Sequence, residues 1–174
     1  VVLGDFLGVR QAVLGDLPGM TAIYNDAVVE RSATADAEQR SVEERTVWFD
    51  HYRWVEGCPL IVVERDGDVV GYAGATHFRA GKAGYNGCLE VSIYVAPGAR
   101  GGGYGQLLGR AVTQAAEALG NRLLLALVFS DNAASNGLFA NLGFQLCAHL
   151  PRAVIFPDTA AQSRDVGIWQ RQLR

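Results

Sequence analysis

The sequence predicts an α/β fold: one domain built on a mixed central sheet of about six or seven strands, with helices on both faces. Three observations lead there. Short β-branched runs alternate with longer stretches of helical spacing, in the order β-α-α-β-β-β-α-β-α-β-β, which is not the uniform alternation of a doubly wound parallel sheet. Two of the runs flank an Asp-Gly pair, so part of the sheet is an antiparallel hairpin. Finally, a chain of 174 residues that is 49% hydrophobic and 19% charged can bury one real core, and no linker, repeat or low-complexity stretch divides residues 1–174.

The elements follow in order. "VRQAV" (9–13) reads as a short strand. Asp16, with Pro18 two residues on, signals a helix start, and apolar spacing carries that helix through Val28 and Val29. A polar stretch "ERSATADAEQR" separates it from a second helix, "VEERTVWFDHYRW", announced by Ser41 and Glu44 as a capping box. "LIVVE" and "VVGYAGATHF" are the hairpin strands around "RDGD". After a glycine-rich loop comes the strong strand "CLEVSIYVA", then a helix over 103–119 ended by Gly120. "RLLLALVF" reads as a buried strand, "DNAASNGLFANLG" as a short helix closed by Gly143, and "FQLCAHL" and "DVGIWQRQL" as the last strands.

Composition excludes several functions. A formal charge of -3 with scattered charges leaves no basic footprint for nucleic acid. Lys82 is the single lysine, which removes any lysine-based phosphate clamp. Cys58, Cys88 and Cys147 are odd in number and far apart, so they suggest free thiols rather than a disulfide framework or a zinc site, and no metal is expected. His51, His77 and His149 read as surface or satisfied core histidines. No apolar run reaches the roughly 18 residues of a membrane helix, and "VVLGDFLGV" lacks the basic start of a signal peptide. The expectation is a cytoplasmic protein with a small-molecule partner and neither nucleic acid nor membrane.

The stretch "VAPGARGGGYGQLLGRAV" carries the chemistry. A strand, a loop from Gly98 to Gly103 and a helix start present backbone N–H groups and a helix dipole to an anion, and the glycines allow close approach. The dinucleotide fingerprint does not fit, because Leu108 and Gln106 stand where its last glycine would be. What fits is R-x-x-G-x-G, spelled Arg100, Gly101, Gly102, Gly103, Tyr104, Gly105. Glu90 is an acid within "CLEVSIYV", a strand that otherwise reads as core; it is either a general base or the polar half of a strand alternation shared with Ser92 and Tyr94. Arg79 in "HFRAGKAGYN" offers a bidentate fork for a carboxylate, or is an exposed hairpin-end arginine.

Together "GYAGATHFRA", "LEVSIYVAPGARGGGYGQLL" and "NAASNGLFANLGF", with "VRQAVLGDLPGMTAIYNDAV" and "RSVEERTVWF", resemble the GNAT family of acyl-CoA-dependent N-acetyltransferases. Within it the chain is similar to the phosphinothricin and methionine-sulfoximine acetyltransferases over about residues 9–150 and the last strand. The resemblance implies a GNAT-type domain that moves an acetyl group from acetyl-CoA to a primary amine. It implies that Arg100 to Gly105 bind the pyrophosphate, that the strand backbone at Ile93 and Val95 pairs with the pantetheine arm, and that Asn132 and Ser135 border that arm. Glu90 stands at the family's glutamate and would act as base through a water. Arg79, with Tyr85, and the loop around Thr34 match segments that line the acceptor pocket. A homodimer is also implied, with Phe156, Ile168 and Trp169 as apolar candidates for its interface. Three departures concern the acceptor: Phe139 replaces a histidine, Asn86 replaces a second basic residue, and the stretch over 153–164 diverges, keeping only the following Asp165. An amino-acid acetyltransferase, an enzyme for another amine (an antibiotic, a polyamine or a protein terminus) and a non-catalytic acyl-CoA-binding module all remain open at this point.

Overall fold

The computed structural model describes residues 8–54, 57–157 and 163–174. Among the described residues seven strands form one sheet: β1 (Val9–Gln11), β2 (Leu60–Arg65), β3 (Asp68–His77), β4 (Cys88–Val95), β5 (Leu123–Phe129), β6 (Gln145–Ile155) and β7 (Ser163–Gln172). Four α-helices accompany them: α1 (Leu17–Glu30), α2 (Val42–Trp54), α3 (Tyr104–Ala118) and α4 (Ala133–Asn141). The strand order is β1-β2-β3-β4-β5-β7-β6, and every neighbouring pair is antiparallel except β4 with β5. The sheet is therefore mixed, as expected.

Side-chain alternation explains the two layers. On β2, Ile61 and Val63 join the core under α3, with Leu108, Ala111 and Val112, whereas Leu60 and Val62 face α1 and α2, with Met20, Ile23 and Phe49. Leu108 and Val112 are almost fully buried, and each contributes about 1.5–3 kcal/mol by leaving water. Gly109 lets α4 come close to α3, since a Cβ there would lie 2.3 Å from Leu142 Cδ1.

Local signals act largely as their chemistry dictates. Ser41 and Glu44 form a reciprocal capping box at 2.8 and 3.2 Å. Asp66 and Gly67 take φ 56° and 90° in the β2–β3 turn. α1 starts where Asp16 and Pro18 place it, with Asp16 at its N-cap, but the Asp16 side chain does not cap the helix and Asp16 also ends a 3-10 turn, Leu14–Asp16. Its carboxylate accepts two 2.7 Å bonds from Arg10 and one of 2.8 Å from Val13 N–H. β1 is correspondingly shorter than expected, and β6 is longer, running on to Ile155. Residues 1–7, the side chain of the residue at 51, and residues 158–162 of the divergent stretch lie outside the described residues.

Candidate active site

The site begins where the sheet splits. β4 and β5 pair over only three positions, Cys88 with Leu123, Leu89 with Leu124 and Glu90 with Leu125. Beyond Glu90 the strands part: β4 continues along β3, and β5 continues along β7. Ala96 N–H donates to Val70 O, so even-numbered residues of β4 bond to β3, and the backbone groups of Ile93 and Val95 turn into the gap. Two cavities meet there. One of about 540 Å³ lies at the start of α3 and one of about 240 Å³ at Glu90, and both are lined by Ala33, Ile93, Tyr94, Asn132 and Ser135.

The larger cavity is an anion cradle. Gly101 and Gly103 take φ 79° and 83° with Gly102 between them, a conformation that gathers N–H groups into a concave nest. The first α-helical bond of α3 runs from Leu107 N to Gly103 O, so the N–H groups of Gly103, Tyr104, Gly105 and Gln106 have no intrahelical partner. A Cβ at Gly101 or Gly103 would meet nothing within 4 Å, which leaves room for a phosphate on the backbone. Arg100, Gly101, Gly103, Tyr104 and Gly105 line this cavity. Gly102 does not; it packs under the Tyr104 ring. The Arg100 guanidinium turns away from the loop to hold Glu30 at 2.8 and 3.1 Å, and its Nε donates to Val95 O at 3.3 Å. This donor set suits a pyrophosphate, and Ile93, Val95, Asn132 and Ser135 line the same cavity. Asn132 has two duties, because its Oδ1 also caps α4 by accepting from Ser135 N–H at 3.0 Å.

The smaller cavity holds the chemistry. Glu90 lines it and is half-buried. Burial pushes its carboxyl above the ordinary value near 4.5, with no ion pair or hydrogen bond opposing the shift. Around it stand Leu127, Phe129, Phe139, Val154 and Val166, so Glu90 is the one carboxylate or cation among the described lining residues. Phe139 is both wall and core, packed edge-on against Phe144 at 5.0 Å. Thr34 lines the cavity and meets Tyr24 Oη at 3.0 Å. Tyr94 reaches both cavities and a third of about 410 Å³ under α2; burial raises its phenol, so it keeps its proton at neutral pH.

Arg79 and Tyr85 sit together on the β3–β4 loop, the guanidinium 5.6 Å over the ring. Neither lines any of these three cavities. The apolar walls Phe129, Val154 and Val166 were not singled out from the sequence, because strand positions that face a gap look like positions that face a core. Alternation with Glu90 was a usable signal for Ser92 and Tyr94. Arg45 had no signal: it is buried, donates to Tyr72 Oη at 3.1 Å and stacks 3.7 Å over Trp48. Phe156 is not free for an interface, since it is buried against Phe129. Among the described residues no group of three or more His, Cys, Asp or Glu is placed to hold a metal ion, and no helix is long and apolar enough to cross a membrane.

Comparison with known proteins agrees with this geometry. Residues 21–144 match the Acetyltransferase (GNAT) family. An L-methionine sulfoximine/L-methionine sulfone acetyltransferase of Pseudomonas aeruginosa is 38% identical over 145 residues, 83% of each chain. A phosphinothricin acetyltransferase of Sinorhizobium meliloti, solved in complex with acetyl-CoA, superposes with TM-score 0.88 at 31% identity, covering 95% of this chain and 87% of that one. A ribosomal-protein-alanine N-acetyltransferase of Brucella melitensis gives TM-score 0.89 at 34% identity, covering 95% and 99%. The chain thus belongs to the GNAT family as an acetyl-CoA-dependent N-acetyltransferase.

Proposed function

We propose that the protein acetylates the primary amine of a small amino-acid-like acceptor with an uncharged side chain, of the methionine sulfone type, in preference to phosphinothricin. The observation that carries this reading is the smaller cavity, where Glu90 is the one charged side chain among the described lining residues and the others are neutral, Phe129, Phe139, Val154 and Val166 beside the polar Thr34, Ser92, Asn132 and Ser135. A doubly anionic acceptor would find no cation there to offset the desolvation of its second charge. The Pseudomonas relative, named for methionine sulfoximine and sulfone, supports the same class.

In this reading acetyl-CoA, when bound on Arg100 to Gly105, supplies the acyl group as a thioester. Glu90, acting through a water, takes the proton that keeps the acceptor amine from being a nucleophile. The strand N–H groups of Ile93 and Val95 turn into the gap and can donate to the carbonyl oxygen as it gains charge. Tyr94 borders both cavities and is the hydroxyl nearest in role to a proton source for the departing thiolate, although burial raises its phenol and makes it a weaker acid than a free tyrosine. Thr34 borders the acceptor. Arg79, stacked on Tyr85 in the loop that leads into Glu90's strand, lies outside the three cavities and is assigned no acceptor group.

The Brucella relative favours a second reading, a protein N-terminus as acceptor. Thiol release measured with methionine sulfone, phosphinothricin, spermidine and an alanine-terminated peptide separates the two. Turnover confined to the peptide would overturn the first. The proposed compartment is the cytoplasm, consistent with free thiols at Cys58 and Cys88. We also propose a homodimer, formed through β6, an edge strand that exposes Leu146, Leu150 and Ile155. Light scattering showing only an 18.7 kDa species at micromolar concentration would refute it.

A further inference from the structure

Three successive residues at the end of α1 are each held by a different part of the molecule. Arg31 takes φ 53° and ends the helix, and the chain then runs through Ala33, Thr34 and Ala35, all lining the cavity that contains Glu90. The Glu30 carboxylate accepts two bonds from Arg100, beside the glycine nest, at 2.8 and 3.1 Å. The carbonyl of Arg31 accepts from Arg164 on β7, whose other terminal nitrogen meets Asp131 at 2.5 Å. The carbonyl of Ser32 accepts from Asn132 Nδ2, at the start of α4, at 2.7 Å. The Arg164 guanidinium also lies 4.1 Å over the ring of Phe129, a wall of the same cavity.

These three ties have a geometric meaning. α1 packs against one face of the sheet, whereas α4, the start of β7 and the glycine loop border the gap from elsewhere in the fold. A loop that leaves a helix in the left-handed conformation keeps no regular backbone ladder, so its path is set by whatever groups receive its carbonyls. Here the recipients are Arg164 and Asn132, and the Glu30–Arg100 pair fixes the point from which the loop departs.

We propose that Glu30, Arg164 and Asn132 are positioning residues that fix segment 33–35 as the acceptor-side wall of the Glu90 cavity. The proposal rests on the reading that the acceptor meets Glu90 in that cavity. Asn132 lines both cavities and Glu30 acts through Arg100, which lines the larger one, so Arg164, which lines neither, is the residue that separates this role from one in holding acetyl-CoA.

The test uses Arg164→Met and Glu30→Gln in the full chain, with methionine sulfone as acceptor. Loss of a hydrogen bond from a charged group to a carbonyl should raise the acceptor KM about tenfold in Arg164→Met, and about threefold in Glu30→Gln, with kcat within about twofold of the native value. Arg164→Lys should recover part of the KM. Amide hydrogen exchange at residues 33–35 should quicken by about tenfold in Arg164→Met even without acceptor, which reads the tether should the acceptor prove to be another amine. A fall in melting temperature with unchanged acceptor KM and unchanged exchange at 33–35 would show that these bonds only stabilise the fold, and would overturn the proposal.

Discussion

Replacing Glu90 by Gln removes the charge and leaves the shape, and its effects on rate and on stability should run in opposite directions. The general-base contribution is about 10²–10⁴ in rate, and 10² corresponds to about 2.7 kcal/mol of transition-state stabilisation. No second carboxylate or histidine lines the cavity among the described residues to take over, so kcat should fall by about 10² or more at pH 7.5. Stability follows from linkage. The folded carboxyl lies above the unfolded value near 4.5 because burial disfavours its charge. Below that value the folded and unfolded chains both carry the neutral acid, and Glu90 imposes no penalty. As pH rises the unfolded chain ionises first, so the native protein loses stability up to the folded pKa and keeps that deficit above it. Glu90→Gln escapes the loss. It should melt at or above the native temperature at pH 7.5, and the difference should close as pH falls toward 4.5. Initial rates of thiol release and thermal melts across pH 4.5 to 9 measure both. A variant that keeps native kcat over that range, or that melts below the native protein at pH 7.5, would refute the assignment of Glu90 as a desolvated base.

Other changes probe the remaining parts of the site. Gly103→Val should abolish detectable acetyl-CoA binding by calorimetry, because the new side chain occupies the open face of the nest; the positive φ of 83° adds about 1–2 kcal/mol of backbone strain without unfolding the domain. Gly109→Ala should destabilise the fold by about 1–3 kcal/mol in denaturant titration, since its Cβ must displace Leu142 between α3 and α4. Phe139→His should cost about 1–3 kcal/mol, because a polar ring would enter a site packed against Phe144. The same variant should raise activity on phosphinothricin relative to methionine sulfone, and an unchanged ratio would remove Phe139 from the account of specificity.

What the sequence could and could not convey has physical causes. Capping at Ser41 and Glu44, the Asp-Gly turn and the terminating Gly120 and Gly143 are local devices whose partners lie within a few residues, and they are legible as such. The glycine nest at Arg100 to Gly105 is legible for the same reason. Asp16 and Pro18 mark the start of α1, but the use of the Asp16 carboxylate is not legible, because its partner, Arg10, is on another element. β6 extends past Leu150 because the ladder with β7 shifts register between Leu150 and Val154 and resumes beyond Pro151, a pairing that no local pattern signals. The division of β4 from β5 is a matter of register between strands separated by a helix, and no local pattern encodes it. The cavity walls and the ties at residues 30–32 depend on that division, so Glu90 and the glycine loop stand out in the sequence while Phe129, Val154, Val166 and Arg164 do not.

The cavity at Glu90 holds a single carboxylate and no cation among its described lining residues, and acceptor selectivity tests that arrangement most directly. Steady-state thiol release at saturating acetyl-CoA, with methionine sulfone and phosphinothricin compared in one buffer, gives the ratio of their kcat/KM values. A missing counter-charge for a second anion predicts a ratio of about tenfold or more in favour of the sulfone. Equal values, or a preference for phosphinothricin, would contradict the reading of the cavity on which the proposed function depends.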